Sequence, residues 1–438
     1  MSKVFKPSPI SGFPEYLPEI RRVEQQWIDH IRAVFESYGF CNIETPAVEE
    51  VDVLMAKGET DKEIYCLNRL QADPDDNSDA RLALHFDQTV PLARYTAQHF
   101  NDLVFPFKRY QIQKVWRGER PQVGRMREFY QCDIDVIAVD NLPLHFDAEM
   151  PAVIYEALMG LDIGKVQIKI SNRRILIGLL ESLGVEDVIS TTRIIDKHDK
   201  IGVDGVTAGL KDEIGLTDAQ IASVLALSTI KTRSAAEVKE KLSALNVENE
   251  AFQQGVDELC FVLDYLSFMP EDAMLADLSI VRGLDYYTGT VYETNLLEIP
   301  EFTSSVCSGG RYDDLASSYI NKKLPGVGIS IGLTRLFSVL LEHGYIKAAP
   351  RSPADILMAI PSEEKRGLAQ ETAQALRKRG FKVELYHAPQ KIKKQLSYAE
   401  KKGIPYVWFP PFEDGQSHEV KNMDGGEQSV VTVENFKK

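Results

Sequence analysis

The sequence predicts a mixed α/β protein: an α+β main part, a helical insertion within it, and a separate α/β part at the C terminus. Three observations predict this class. Residues 81–139 contain runs in which apolar and polar residues alternate, as in half-buried strands. Residues 171–270 are mostly of helical pattern and interrupt two strand-rich regions. From Ala354 onward, strands and helices alternate, which indicates βαβ units and a small parallel sheet.

Length and composition indicate a globular protein of two or three domains. The chain has 438 residues, of which 44% are hydrophobic and 26% are charged. The sequence shows neither a run of about eighteen apolar residues nor a secretory signal, so we expect a cytoplasmic protein without a membrane span. The five cysteines are scattered without a metal-binding spacing, which favours reduced and mostly buried thiols.

The charge distribution sets the C-terminal part apart from the rest. The whole chain carries a formal net charge of -15, which by itself argues against a polyanionic partner. From Arg351 onward, however, basic residues slightly outnumber acidic ones, so the acidity lies in the preceding residues. We therefore expect a domain boundary at Arg351–Pro353.

A helix is predicted from Pro18 to Gly39, because Trp27, Ile31 and Phe35 recur at helical spacing. An extended segment that ends at Pro46 follows the helix. This pair can be ordinary core or a surface for self-association, and the pattern leaves both open.

The segment from Arg81 to Tyr95 changes from strand to helix near Pro91. Asp87 and Thr89 lie at the end of the strand, where side chains commonly line a site. Asp87 can alternatively cap the helix that follows. The acidic, turn-rich segment 72–80 before it is predicted to be a solvated loop.

Two strands joined by an arginine-rich loop are predicted between Phe107 and Val139. Arg117 precedes the loop, and the loop itself carries Arg120, Arg125 and Arg127. Four guanidinium groups on one hairpin suit multidentate recognition of phosphate. An ordinary solvated hairpin has the same pattern.

The second of these strands has a polar face. Gln131, Asp133 and Asp135 alternate with apolar residues and therefore share one side of the strand. Burying three polar side chains in a plain core would be costly. We expect this face to hold a polar ligand.

The most information-dense stretch is Val281–Glu293, which reads V-R-G-L-D-Y-Y-T-G-T-V-Y-E. It combines Arg282, two acids and three tyrosines in a strand-like run that Gly283 and Gly289 interrupt. Glycines in a strand suggest backbone that lies close to a ligand. An edge strand with a solvated arginine and aspartate accounts for the pattern as well.

A second glycine-rich stretch runs from Gly326 to Gly344 as a strand followed by a helix. The glycines at 326, 328 and 332 weaken a strand, so we expect something flat and bulky to lie over them. Arg335 falls in the first turn of the helix, where a cation opposes the helix dipole. A bound anion is one explanation for Arg335, and a salt bridge to a neighbouring acid is the other.

These motifs resemble those of the class II aminoacyl-tRNA synthetases, and Val281–Glu293 is similar to a signature of the histidyl-tRNA synthetase family. The helix and strand ending at Pro46 resemble motif 1 of the class, Phe107–Val139 resembles motif 2, and Gly326–Leu341 resembles motif 3. The stretch Ser308–Leu315, reading S-G-G-R-Y-D-D-L, resembles the family's second histidine motif.

The resemblance covers nearly the whole chain and implies its division into domains. Residues 1–170 and 271–350 would form the two parts of a catalytic domain, an antiparallel sheet flanked by helices. Residues 171–270 would be a helical insertion. Residues 351–438 would be an α/β anticodon-binding domain.

The implied reaction has two steps. The carboxylate of L-histidine would attack the α-phosphate of ATP to give histidyl-adenylate and pyrophosphate, and the acyl group would then pass to the 3′ end of histidine tRNA. Mg²⁺ would accompany ATP and be held mainly by its phosphates. The likeness to motif 1 implies a homodimer.

The resemblance assigns ATP binding to residues of motifs 2 and 3. Arg117 would contact the α-phosphate, with Glu119 near the adenine. Arg125 would reach the γ-phosphate, and Phe129 would stack on the adenine. Arg335 would bind ATP from the opposite side.

The residues implied for histidine binding are Asp87, Thr89, Gln131, Asp135, Arg282, Tyr286 and Tyr287. Asp87, Thr89 and Gln131 match positions that hold the α-amino group, and Asp135 and Tyr287 match those that bind the imidazole. A carboxylate and a phenol can satisfy both imidazole nitrogens. Arg282, together with Arg117, is implied as a catalytic cation at the α-phosphate.

Three positions depart from the family's usual residues. Ser308 stands where glycine or alanine is frequent, and Asp314 stands where glycine is common. Asp135 is shorter than the glutamate of many bacterial members, which leaves the geometry around the imidazole open.

Two other functions fit part of the pattern. A synthetase-like paralogue that binds histidine and regulates histidine biosynthesis typically lacks the anticodon-binding domain and has degenerate motifs. A class II synthetase for threonine, proline or glycine has the same architecture but no histidine motifs. Because Arg117, Arg282 and Arg335 are all present, the sequence favours the catalytic alternative.

Overall fold

The structure, a computed structural model, describes residues 6–55, 63–71, 81–196, 198–280, 287–313, 316–411, 413 and 415–437. The described residues form two compact units. The larger unit is drawn from residues 1–14 and 27–346, and the smaller from residues 15–26 and 347–438. The acidic segment 72–80 and most of the Val281–Glu293 stretch, up to residue 286, lie outside the described residues.

Eleven strands are described in the larger unit. In chain order they are β1 (Cys41–Asn42), β2 (Val48–Glu50), β3 (Leu82–Leu84), β4 (Phe107–Trp116), β5 (Glu128–Ile137), β6 (Val166–Asn172), β7 (Lys231–Thr232), β8 (Met274–Asp277), β9 (Thr290–Leu296), β10 (Cys307–Tyr312) and β11 (Gly326–Gly332). Nine of them form one sheet in the order β1-β4-β5-β11-β10-β9-β6-β8-β7, and β2 pairs with β3 apart from it.

The helices described in this part of the chain are α1 (Pro18–Ser37), α2 (Val51–Met55), α3 (Thr89–Gln98), α4 (His145–Met159), α5 (Arg173–Ser182), α6 (Val188–Ile195), α7 (His198–Asp212), α8 (Asp218–Ser228), α9 (Ala235–Ser243), α10 (Glu250–Tyr265) and α11 (Leu333–Glu342). The run from α5 to α10 lies between β6 and β8, so the expected helical insertion is present. No helix in the described ranges is both long enough and apolar enough to cross a bilayer.

The central part of the sheet is antiparallel. β4 pairs with β5, β5 with β11, β11 with β10 and β10 with β9 in antiparallel register. The parallel pairs are β1 with β4 and β6 with β8. The mixed α/β class predicted from the sequence is therefore confirmed, and the sheet is antiparallel where the predicted site residues lie.

One face of this sheet is apolar and covered by helices. On β5, Cys132, Ile134 and Val136 have no exposed surface. α11 packs against β5, and α4 packs against β11. Because neighbouring residues of a strand point to opposite faces, this cover leaves Gln131, Asp133 and Asp135 on the other side.

A buried ion pair fastens α4 to the sheet. Arg311 on β10 donates from Nε to both carboxylate oxygens of Asp147 on α4, at 3.0 and 3.1 Å. Its Nη2 also donates to Asp147 and to the Leu142 carbonyl. The Tyr292 hydroxyl on β9 donates to the Asp147 carbonyl at 2.6 Å. The bidentate geometry pairs the two charges directly.

The smaller unit has its own five-stranded sheet. Its elements are β12 (Ile356–Met358), α12 (Arg366–Lys378), β13 (Val383–Leu385), α13 (Ile392–Lys402), β14 (Tyr406–Phe409), β15 (His418–Asn422) and β16 (Gln428–Val431). The expected parallel βαβ arrangement is present in β13-β12-β14. The antiparallel strands β15 and β16 were not predicted, because their short sequences, H-E-V-K-N and Q-S-V-V, are largely polar.

The smaller unit also includes the first turns of α1, which the sequence did not indicate. Arg22 donates from Nη1 to the Ser352 carbonyl at 2.8 Å, and Glu19 pairs with Arg351 at 3.3 Å. The Ala349 N–H donates to the Glu19 carbonyl. These contacts join residues more than 300 positions apart, so no local pattern could have predicted them.

The cysteines are all free, as the sequence predicted, but only three are buried. Cys132, Cys260 and Cys307 are buried, whereas Cys41 and Cys66 are exposed. Cys41 is exposed because it begins β1, the edge strand of the nine-stranded sheet.

We expect Asp147→Asn to lower the free energy of unfolding by about 3–5 kcal/mol, because Arg311 would remain buried without a counter-charge. The measurement is urea unfolding followed by circular dichroism. Asp218→Asn is the matched control, since its pair with Lys211 is exposed and should change stability little. A loss no larger than that of the control would show that the buried pair does not fasten α4.

Candidate active site

The polar face of the sheet is continuous across β4, β5 and β11. Directly opposed residues of antiparallel strands share a face. The rows that meet here are Arg109, Gln111 and Gln113 on β4, Asp135, Asp133 and Gln131 on β5, and Gly328, Ser330 and Gly332 on β11. Charged and amide side chains thus lie beside a row of small residues, which gives a polar trench.

The glycines of β11 make room for the protein's own side chains. A Cβ on Gly328 would lie 2.1 Å from Asp135 Oδ1, and one on Gly326 would lie 2.3 Å from the Tyr312 ring. The sequence predicts something flat and bulky over these glycines. The Tyr312 ring is such a group at 326 and the Asp135 carboxylate fills the space at 328, whereas a Cβ on Gly332 would meet only ordinary neighbours.

Asp135 lies at the inner end of the trench, between a cation and a phenol. Arg109 Nη2 is 2.6 Å from Asp135 Oδ2, an ion pair without hydrogen-bond geometry. The Tyr312 hydroxyl donates to Asp135 Oδ1 at 2.9 Å. Burial raises the pKa of Asp135 to about 6, and Arg109 and Tyr312 oppose that rise.

Arg109 is a site residue that the sequence reasoning missed. It has no exposed surface and lowers the pKa of both Asp133 and Asp135. The signal was present in R-Y-Q-I-Q, where Arg109 and Gln111 alternate with apolar residues just as the acids do on β5. Pairing the two alternations would have predicted a polar face two strands wide.

Asp133 is the central acid of the trench. It is 4% exposed, and burial raises its pKa to about 7. Ser330 lies directly opposite it on β11, lowers its pKa, and accepts a hydrogen bond of 2.8 Å from Gln131 Nε2. Asp133 Oδ1 has no hydrogen-bond partner among the described residues.

Asp87 and Thr89 lie at the start of α3. Asp87 Oδ1 accepts a hydrogen bond from the Val90 N–H at 3.1 Å, so the predicted capping role is present. Its Oδ2 is buried and has no partner in the described chain, so the second oxygen remains available. Burial raises the pKa of Asp87, and Arg117 and Arg109 are among the groups that lower it. Thr89 is half-buried at the first position of α3.

A cleft opens at the outer end of the trench, and charged, aromatic and amide side chains line it. The predicted site residues that line it are Arg117, Glu119, Arg125, Phe129, Gln131 and Arg335. The other described residues of the prediction, Asp87, Thr89, Asp135 and Tyr287, do not line this cleft.

Arg117 is held in place on one wall of the cleft. Its Nε donates to the Phe86 carbonyl at 3.0 Å, and its guanidinium lies 5.2 Å from the centre of the Phe129 ring. Arg125 pairs with Glu119 at 3.4 Å. A cation, an aromatic ring and a carboxylate are thus close together on this wall.

Arg335 links two loops at the other wall. Its Nε donates to the Gly124 carbonyl at 2.8 Å, and its Nη1 donates to the Ser305 carbonyl at 2.9 Å. Both of these partners are backbone carbonyls, and they leave the bound anion and the salt bridge open as explanations for Arg335. With Arg117 and Arg125 it brings three guanidinium groups to one cleft, an arrangement suited to a polyphosphate.

Tyr287 precedes β9 and lies against β10. Its ring is next to Gly310, where a Cβ would be 2.9 Å from Tyr287 Cδ1. It packs with Tyr312 and Leu92 in one hydrophobic cluster. The predicted residues Arg282 and Tyr286 lie outside the described residues.

Comparisons with known protein families match two separate parts of the chain. A family profile described as "Histidyl-tRNA synthetase" matches residues 12–336, and one described as "Anticodon binding domain" matches residues 355–438. The chain is 56% identical over 426 residues to the "Histidine--tRNA ligase" of Thermobifida fusca, covering 97% of each chain.

Two solved structures also match. The histidyl-tRNA synthetase from Nostoc sp. is 40% identical with a TM-score of 0.88, covering 99% of this chain and 98% of the other. The second is described as an ATP phosphoribosyltransferase regulatory subunit/histidyl-tRNA synthetase from Bacillus halodurans. It has 22% identity and a TM-score of 0.74, covers 90% and 97% of the two chains, and shares the fold.

We expect the stability of Asp133→Asn relative to the wild type to rise with pH. Burial raises the pKa of Asp133 from 3.8 to about 7, so the native state holds a proton that the unfolded state has released between these values. The wild-type free energy of unfolding then falls with rising pH through this window, by at most about 1.4 kcal/mol per pH unit, and the variant lacks this loss.

Thermal unfolding of both proteins at pH 5, 6, 7 and 8 measures this difference. The melting temperature of the variant minus that of the wild type should rise up to about pH 7 and then level off. A gap that stays constant across the series would contradict the inferred protonation of Asp133.

Proposed function

The chain belongs to the histidyl-tRNA synthetase family, and from that membership we propose that it activates L-histidine with ATP and transfers it to histidine tRNA. The histidine carboxylate attacks the α-phosphorus of ATP, pyrophosphate leaves, and histidyl-adenylate forms. A hydroxyl of the terminal tRNA ribose then attacks the acyl carbon, and AMP leaves. The observation that carries the proposal is the match over nearly the full length of both chains, with a guanidinium-lined cleft beside buried carboxylates.

The three cleft arginines suit the first step. Negative charge moves onto the phosphate oxygens in the transition state, so fixed cations stabilise it. We assign the α-phosphate to Arg117, the γ-phosphate to Arg125, and the opposite side of the nucleotide to Arg335. The Phe129 ring, with Glu119 nearby, provides a surface for the adenine. This assignment is supported by the presence of all five side chains in one cleft.

The trench suits the amino acid. We assign the imidazole to Asp135 and to Tyr287, with Tyr286 beside it, and the α-amino group to Asp87, Thr89 and Gln131. A buried carboxylate that accepts from an imidazole N–H rejects side chains lacking that donor, because its acceptor would be left without that hydrogen bond. The support for this assignment is that Asp135 and Gln131 share one face of β5, four residues apart.

The regulatory alternative is not favoured. Such paralogues typically lack an anticodon-binding domain, whereas residues 355–438 match one here and fold as a unit with its own sheet. The solved structure whose description mentions a regulatory subunit is 22% identical, against 40% for the Nostoc synthetase.

The smaller unit supports contact with tRNA. We propose that the basic residues near α13 contribute, namely Lys391, Lys393, Lys394, Lys401 and Lys402. Lys402 also has a structural role, since its Nζ lies 2.7 Å from Glu384 and 4.8 Å from the Tyr398 ring centre. For the other four lysines, the alternative to tRNA contact is a merely solvated face of the helix. The salt dependence of tRNA binding in lysine variants distinguishes the two.

We further propose that the protein works as a cytoplasmic homodimer with Mg²⁺ bound to ATP. The free cysteines fit a reducing compartment. The strand β1 lies at the open edge of the nine-stranded sheet, within the segment that resembles motif 1, and suits pairing with a second copy. Mg²⁺ would be held mainly by ATP phosphates.

We expect the purified protein to catalyse ATP–pyrophosphate exchange that depends on histidine. The exchange is measured with labelled pyrophosphate and each of histidine, threonine, proline and glycine. Equal exchange with another of these amino acids, or none with histidine, would overturn the proposed function.

We expect Arg282→Ala to lower the exchange rate strongly, by about 100-fold or more, while histidine binding persists, because the proposed charge stabilisation acts in the transition state. Histidine binding is measured by calorimetry beside the rate. Arg233→Ala, an exposed arginine, is the control and should behave as the wild type. If histidine affinity collapsed with turnover intact, the assigned role would be wrong.

A further inference from the structure

Several side-chain oxygens on and beside the polar face have no hydrogen-bond partner among the described residues. They include Asp87 Oδ2, Gln111 Oε1, Gln131 Oε1 and Asp133 Oδ1. Asp87 and Asp133 are each only 4% exposed. A buried oxygen without a donor is destabilising, so unpaired acceptors in one trench point to a ligand that brings donors.

The hydrogen bonds around Ser330 determine which atoms remain available. Gln131 donates its amide N–H to Ser330 Oγ at 2.8 Å, and Ser330 lies directly opposite Asp133 in the strand register. The amide nitrogen of Gln131 is therefore used, and its oxygen is left to accept. Gln131 and Asp133 are two residues apart on β5, so their Cα atoms are about 7 Å apart on the same face.

The charges in this region leave an excess of negative charge. Asp87, Asp133 and Asp135 are close enough for Asp87 to raise the pKa of both other acids. The cations that act on them are Arg109, which interacts with all three, and Arg117, which interacts with Asp87. When all three carboxylates are ionised they exceed the two guanidinium groups by one negative charge, so a cationic ligand group is favoured here and would itself stabilise ionised Asp133.

We propose that Asp133 is a specificity-determining residue whose carboxylate accepts an N–H from the α-ammonium of the amino-acid substrate, beside Asp87 and Gln131. This inference rests on the proposed function. A primary ammonium has three N–H donors, and these side chains offer three acceptors to it. Neither spacing nor the family resemblance assigned a ligand to Asp133. Its role follows from its unpartnered oxygen between Gln131 and Asp135.

The role of Asp133 also explains its neighbours. Ser330 lies opposite Asp133 in the strand register and holds the Gln131 amide through a hydrogen bond to its hydroxyl oxygen. Arg109 lowers the pKa of Asp133 and Asp135 against the opposing effect of burial, which favours the acceptor form of both carboxylates. A substrate without an ammonium would leave these acceptors unpaired, which is how the site would select an α-amino acid over its des-amino analogue.

The experiment compares two competitors of histidine in the Asp133→Asn variant. One is histidinol, which has the amine but no carboxylate, and the other is imidazolepropionate, which has the carboxylate but no amine. Inhibition of histidine-dependent exchange and calorimetric binding are measured for both. We expect histidinol to bind roughly 10-fold more weakly to the variant and imidazolepropionate to bind within about 2-fold of wild type.

Asp277→Asn is the matched control, because Asp277 is a fully buried acid on β8 of the same sheet whose charge is balanced by Lys231 and Lys169. It should leave the ratio of the two affinities unchanged. Equal weakening of both competitors by Asp133→Asn would assign Asp133 a merely structural role and overturn the inference, as would no change in either.

The two proposals can fail separately. If the wild type shows no histidine-dependent exchange, the proposed function fails, while the calorimetric ratio still tests whether Asp133 contacts an amine. If the wild type exchanges with histidine and the ratio does not change in the variant, only the role of Asp133 is wrong. Retained binding of imidazolepropionate shows in the same experiment that the variant is folded.

Discussion

The burial of negative charge on one face of the central sheet is the constraint on which the site depends. Asp87, Asp133 and Asp135 are nearly enclosed, and burial raises the pKa of each. Such groups are costly unless a cation accompanies them, and Arg109 lies among all three. The small residues of β11 follow from the same constraint, because a side chain at 328 would collide with Asp135.

The opposite face of the same strands supplies the rigidity that this arrangement needs. On β10, Arg311 points to the helical side and binds Asp147, whereas its neighbours Gly310 and Tyr312 face the polar side. One short strand therefore connects a buried ion pair on one side to the Tyr312–Asp135 hydrogen bond on the other. Strand alternation makes this possible, since adjacent residues serve opposite faces.

Where sequence reasoning failed, the residues show why. At the start of the alternating runs in residues 81–139, the apolar Leu82 is 40% exposed and Ala83 beside it is buried, because the small sheet of β2 and β3 sets the face. The glycine pattern of β11 did not show that Tyr312 and Asp135, from two other strands, occupy the space at Gly326 and Gly328. Arg109 was overlooked because its partner acids lie on another strand.

The sequence by itself determined the mixed fold class, the polar face of β5, the arginine-rich hairpin and the family. These features are local: alternation, glycine placement and motif order are visible in one chain. Only the tertiary structure decided which strands are neighbours and in what register. That register places Arg109 against Asp135 and Ser330 between Gln131 and Asp133, because antiparallel pairing joins residues from distant segments. The polar trench is a property of that pairing.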